Sequence, residues 1–263
     1  MNVKKPLPFF NVAADGLAVL NIEPGETVQR IVLALGGTAF TKAMITLIRL
    51  KLNGKVFYET TGTYLDLINK YKGIADDAGF LTIDFSERDA KTLGGMYAGG
   101  IATGSGVTSF DVEVTIAGAT APTLEAYLQT TAARPLDYIL GMVAHPVTLS
   151  AAGKFPVVLP HGPDAAMLLK RVHFFNTYMT SLEVKKNGLI IFDDIPAAAN
   201  SFMQKEFKKV PQAGLYVFDP IVDNNVTAVV QTANAASMRF NPTVSAADTL
   251  NIYAEVIGTI DKF

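Results

Sequence analysis

Histidine, serine and paired carboxylates are the residues with which this chain could do chemistry. It has three histidines, His145, His161 and His173. No two stand three or four positions apart, the spacing that would set both imidazoles on one helical face beside a metal. His145-Pro146 and Pro160-His161 read as loops, and His173 sits in the apolar run RVHFFN (171–176), where packing is expected. No Gly-x-Ser-x-Gly elbow occurs. Gly104-Ser105-Gly106 closes a small-residue stretch that begins at Gly94-Gly95, but the stretch lacks the Gly-Lys-Ser/Thr of a phosphate loop and reads as a flexible connection between strands.

Carboxylates pair at Asp76-Asp77 and Asp193-Asp194, and Asp219 and Asp223 are close in sequence. Such oxygens can hold Ca2+, but the EF-hand spacing is missing, so solvated turns are expected. A glycosidase would need two carboxylates about 5–9 Å apart in a cleft, often with aromatic platforms. The chain has no Trp and no Cys, and the absence of Cys removes thiolate nucleophiles, thiolate metal sites and disulfides. The sequence therefore assigns no catalytic, cofactor or metal residue, and an enzyme is not expected. Lys70-Lys72, Lys185-Lys186 and Lys205-Lys208-Lys209 read as solvated faces. Lys4 and Lys5 differ, because they precede Phe9 and Phe10 on an N-terminal arm that could touch an anionic membrane or an adjacent subunit. The arm does not read as a signal peptide, being broken by two prolines, Asn11 and Asp15.

Of the 263 residues, 49% are hydrophobic and only 17% charged, against about 25% charged in a typical soluble domain. No apolar run approaches the ~20 residues of a membrane span. Such a chain must hide apolar surface elsewhere, and subunit contacts are one place. A net charge of −2 argues against binding nucleic acid, which needs clustered Lys and Arg.

The elements that would carry these residues repeat. Residues 44–59 (MITLIRLKLNGKVFYE) and 179–194 (MTSLEVKKNGLIIFDD) each read strand, Asn-Gly, strand, and Asn-Gly is the strongest short signal for a hairpin. The turns lie 134 residues apart (187 − 53). A helical pattern follows each: Tyr64, Leu65, Leu67, Ile68 and Tyr71 share one face in 63–73, and Phe202, Met203 and Phe207 share one in 197–209. Ala78-Gly79 then leads into FLTIDF, and Ala213-Gly214 into LYVFDP. Upstream, 27–35 resembles 168–176, which aligns Arg30 with Arg171. Alternating strands close each half, at 109–118 and 249–258, and the similarity matches these two with each other.

Two copies of one β-rich unit are thus expected, each with a short inserted helix. The first should reach about Gly118. Residues 119–135 would connect, with a short helix capped by Thr120 and carrying Pro122 in its first turn, and the second unit would begin near Leu136. Divided within that connection, the units are 1–130 and 131–263. No flexible linker separates them, so they should pack side by side. Units of this size suit eight-stranded jelly rolls and make the chain all-β.

This duplicated, weakly charged chain resembles the double jelly-roll major capsid proteins, and within them the corticovirus type of tailless phages with an internal membrane. Residues 49–69 (RLKLNGKVFYETTGTYLDLIN) carry the likeness: strand, Asn-Gly turn, strand, then a Leu-rich helix. The resemblance implies a major capsid protein whose trimers present six jelly rolls as a pseudo-hexagon. It further implies an icosahedral shell over a membrane enclosing DNA, a different protein at the vertices, and residence in the virion after synthesis in the host cytoplasm. Structural Ca2+ is implied without an assignable ligand, and sequence-specific nucleic-acid binding is not. The alternatives are a secreted two-sandwich carbohydrate-binding protein and, third, a β-sandwich hydrolase.

Overall fold

Period-two alternation becomes strand nearly wherever the sequence carries it. In a computed structural model of the chain, which describes residues 1–165 and 167–263, the first unit comprises β1 (Asn2–Lys4), β2 (Gly16–Asn21), β3 (Thr27–Thr38), β4 (Ile45–Leu52), β5 (Lys55–Thr60), α1 (Gly62–Tyr71), β6 (Phe80–Asp84), α2 (Leu93–Tyr97), β7 (Ile101–Ala102), β8 (Phe110–Ile116) and β9 (Ala121–Thr131). The second comprises β10 (Ile139–Leu149), β11 (Gly153–Lys154), β12 (Leu168–Phe175), β13 (Met179–Lys186), β14 (Leu189–Pro196), α3 (Ala197–Glu206), β15 (Leu215–Phe218), β16 (Val230–Gln231), β17 (Met238–Val244) and β18 (Asp248–Gly258). In β8, Phe110, Val112, Val114 and Ile116 are buried while Asp111, Glu113 and Thr115 lie between them, partly exposed.

Both Asn-Gly pairs form their turns. Asn53 and Gly54 have φ of 51° and 79°, and Asn187 and Gly188 have 52° and 80°. Both residues of a type I′ turn need positive φ, which Asn tolerates and Gly adopts freely. The sheets then follow one wiring twice. The first unit has sheets ordered β1-β9-β3-β6 and β2-β8-β4-β5, and the second has β10-β18-β12-β15 and β11-β17-β13-β14, with β7 added to β3 and β16 to β12. Leaving out those two short additions and numbering eight strands within each unit, both read 1-8-3-6 and 2-7-4-5. That is a jelly roll, and the chain is two in tandem.

The duplication extends to single hydrogen bonds. Asn69 on α1 donates from Nδ2 to the Thr82 carbonyl at 2.8 Å, and Gln204 on α3 donates from Nε2 to the Val217 carbonyl at 2.9 Å. Arg30 and Arg171 each follow a β-bulge on strand 3 of their roll and each binds an aspartate of strand 6 or just beyond it: Arg30–Asp84 and Arg171–Asp219, both 2.9 Å.

Two expectations are corrected. Residues 121–131 are a strand, not a helical connection. Leu124, Ala126, Leu128 and Thr130 alternate inward, and eleven residues of β9 pair along β3. Pro122 is tolerated near the strand's start. The first unit therefore continues past Gly118, and the correct matches are β8 with β17 and β9 with β18, not 109–118 with 249–258. The small-residue stretch from Gly94 is also more ordered than a flexible connection, since it contains most of α2 and all of β7.

The two rolls share one sheet. β5 pairs in parallel with β10, Tyr58 opposite Met142, so 2-7-4-5 of the first roll continues into 1-8-3-6 of the second. The larger hydrophobic core crosses this junction and takes in Ile139, Leu140, Met142, Phe175 and Tyr253 of the second roll. Each such large side chain contributes about 1.5–3 kcal/mol when fully buried. Gly141 is required at the seam, because a Cβ there would lie 2.1 Å from the Phe263 ring and 2.4 Å from the Phe57 carbonyl oxygen.

Candidate assembly interface

The junction within the chain is sealed by a buried, charge-balanced cluster. Lys72 follows α1, and Glu87 lies between β6 and α2, both on the first roll. Lys170, Arg171 and His173 come from β12, Glu255 from β18, and Asp219 from just after β15. Arg171, wholly buried, reaches Glu87 at 2.5 Å, Asp219 at 2.9 Å and Glu255 at 3.2 Å. Lys170 meets Glu87 at 2.6 Å, Lys72 pairs with Glu255, and the Tyr71 hydroxyl donates to Asp219 at 2.9 Å. Three cations thus face three carboxylates. That balance is what lets charge stay out of water, since an unpaired buried ion costs several kcal/mol.

Burial alone would push the Glu87 carboxyl up. Arg171 and Lys170 override it, and Glu87 is held far below the usual carboxylate range. Glu255 is likewise raised by burial and then driven well down by Lys72, His173 and Arg171. Burial pushes the His173 imidazole down against the opposing pull of Glu255. The neutral ring donates from Nε2 to Glu255 at 3.1 Å. Lys72, read from sequence as solvated, is a correction, whereas His173 packs within its strand as expected, against Tyr71, and adds a hydrogen bond to Glu255. Both serve an ionic seal whose members are scattered from 71 to 255.

The matching face of the second roll is open. β5 is capped by β10, whereas its counterpart β14 pairs only with β13. Leu189, Ile190 and Ile191 on β14 are exposed. α1 turns Tyr64 onto Phe175 across the junction, with ring centroids 4.2 Å apart. α3 turns Phe202, 65% exposed, to solvent, and Met203, Phe207 and Val210 are also exposed. Exposed apolar residues on an unpaired strand edge and the helix that follows it mark an interaction site. The shared face of Phe202, Met203 and Phe207 forms as the sequence suggests, but it points out of the chain.

The arm lies along the first roll. β1 pairs with β9, Lys4 binds Glu26 at 2.8 Å and Lys5 binds Glu125 at 2.9 Å. Phe9 is buried in the chain's own core, while Phe10, with Met1, Val3 and Leu7, is exposed. The other residues of chemical interest do not converge. His145 is half-buried on β10, where burial lowers its pKa, and His161 contacts the Leu159 carbonyl. Ser105 forms a lone bridge with Pro135. Asp76 is bound by Lys42 and Lys70 at 3.0 and 3.2 Å, and Asp77 accepts from the Gly79 amide. Among the described residues, no three His, Asp or Glu side chains gather to hold a metal, and no helix is long and apolar enough to cross a membrane.

Comparison with known proteins places this geometry. No curated protein sequence matches the chain. Among solved structures it is similar to the major capsid protein P2 of bacteriophage PM2, at 19% identity and a TM-score of 0.91, with 98% of this chain and 97% of that one covered. It is also similar to the capsid protein of Sulfolobus turreted icosahedral virus (13% identity, TM-score 0.70, 98% and 90% covered) and to that of PBCV-1 (12%, 0.62, 98% and 94%). At these identities the likeness shows the fold, a double jelly roll. Family models for the N-terminal and C-terminal domains of viral coat protein P2 match residues 3–131 and 139–260, so the chain belongs to the viral coat protein P2 family.

Proposed function

We propose that this coat protein acts by forming homotrimers, pseudo-hexagonal tiles of six jelly rolls that assemble an icosahedral shell around an internal membrane. The observation that carries this reading is the open edge of β14 and α3, whose counterpart on the first roll is closed by the second. One repeated heterologous contact is enough to close a ring of three chains. The role is structural, in keeping with membership of a coat protein family. Family membership leaves the secreted carbohydrate-binding alternative without support. The finer proposals are rolls at 1–130 and 131–263, a separate protein at the five-fold vertices, synthesis in the host cytoplasm before incorporation in the virion, and an arm whose exposed Phe10 meets a neighbour or the membrane. Light scattering on the purified protein tests the trimer. With a chain mass of 28.2 kDa, a particle near 85 kDa (3 × 28.2), or larger shell-like assemblies, is expected. A species that stays monomeric at high concentration would refute it.

A further inference from the structure

Inside the chain, strand 5 of one roll meets strand 1 of the next, as β5 meets β10. Two strands of the same kinds are left open. Strand 5 of the second roll is β14, paired only with β13, and strand 1 of the first roll is β1, paired only with β9. We propose that β14 of one copy pairs in parallel with β1 of a second copy of this chain, with Phe192 opposite Val3, repeating between chains the contact that β5 and β10 make within one. This rests on the trimer reading and specifies its interface.

The register comes from counterparts on the page. Leu50 pairs with Tyr58 and Lys51 with Val56 across a bulge. Val184 pairs with Phe192 and Lys185 with Ile190 across the same bulge, so Phe192 is the counterpart of Tyr58. Met142 pairs with Glu255, which pairs with Arg171. Val3 pairs with Gln129, which pairs with Arg30. Arg30 and Arg171 are equivalent, so Val3 is the counterpart of Met142. Because Tyr58 lies opposite Met142, Phe192 should lie opposite Val3.

Chemistry on the two edges fits this register. The residues after Val3 are Lys4-Lys5, and those after Phe192 are Asp193-Asp194, all four exposed. Lys4 would then lie near Asp193, while Asp194, at a second bulge with φ of 48°, is held by Ser181 at 2.7 Å and Lys154 at 3.5 Å. The Lys4–Glu26 and Lys5–Glu125 pairs lie on the surface, with lysine side chains more than half exposed, and such pairs hold weakly and can share or exchange partners. Val3, Leu189 and Ile190 are 66%, 72% and 49% exposed, and strand addition at a free edge would cover them while satisfying backbone groups.

Disulfide trapping tests the pairing in the full-length protein, which has no cysteine of its own. Facing residues on adjacent strands fall within the Cα separations that a disulfide spans. Val3→Cys/Phe192→Cys is the direct pair. Asn2→Cys/Ile190→Cys is the next pair across the bulge at Ile191 and uses two exposed positions, which guards against loss of fold. Mild oxidation is expected to give covalent dimers and trimers, ending at the trimer, with either double variant and with neither set of single variants. Lys4→Glu and Asp193→Lys should each weaken the trimer severalfold, and together they should recover most of the loss. A protein that is trimeric by light scattering but is not cross-linked by either pair would overturn this interface and leave the trimer standing. A strict monomer would overturn both.

Discussion

His173, Glu87 and Glu255 make the junction sensitive to acid, with a calculable sign. The folded imidazole of His173 titrates below its ordinary 6.5. Under 6.5, then, the unfolded chain binds a proton that the folded chain refuses, and stability falls as pH drops through that window. The two glutamates titrate below their ordinary 4.5 when folded. Their stabilisation is full above 4.5 and is lost as pH falls further. Urea midpoints measured against pH should therefore decline in two limbs, one starting near 6.5 and one near 4.5. His173→Gln keeps a donor for Glu255 and should flatten the upper limb only. His145, also lowered by burial, falls in the same window, and an upper limb unchanged in the variant would assign it there. The cluster was not legible as a cluster, because its members are far apart in sequence and Lys72 and Glu87 join it only when the two rolls meet. The one local sign was Lys170-Arg171 and His173 inside an otherwise apolar strand, a placement that buried charge tolerates only with partners.

Each Asn-Gly turn does more than reverse the chain. The Asn53 side chain accepts from the Thr108 and Ser109 amides at 2.7 and 3.4 Å and donates to the Gly106 carbonyl at 2.8 Å. Asn187 accepts from the Ala236 and Ser237 amides at 2.7 and 3.2 Å and donates to the Asn234 carbonyl at 3.1 Å. Both hairpins thereby clamp the loop that enters strand 7 of their own roll. Asn53→Gly keeps the positive φ and removes the clamp, so it should cost about 1–2 kcal/mol in urea unfolding, whereas a turn that needed only conformational freedom would lose a few tenths. The turns themselves were readable because positive φ restricts composition so sharply. β9 was misread because Thr120 and Pro122 mimic a helix start, although the alternation of Leu124, Ala126 and Leu128 was already present. The clamp could not be read, since its partners stand about fifty residues away in the chain.

At the scale of the molecule, Gly141 is a point of close approach at the seam between the two rolls. Gly141→Val would press against both the Phe263 ring and the Phe57 carbonyl and should destabilise by about 1–3 kcal/mol, as overpacking of a tight seam does. Adding Phe263→Ala should recover only part of this in the same unfolding assay, because the carbonyl cannot move aside as a ring can. Duplication was legible from repeated hairpins and arginines. The order in which the copies touch was not, since nothing in two similar sequences says which edge of one roll faces which edge of the other.

The acidic pair on β14 has a consequence for encounters between identical chains. Two such edges meeting in parallel register would bring Asp193-Asp194 against the same residues of the other chain, so like charges would oppose the match. In the proposed interface, the lysine-bearing edge of β1 is a better parallel mate for this strand than its own twin. A chain that offers this edge and receives its mate at β1 would add copies head to tail, so the proposed contact carries a direction around the ring.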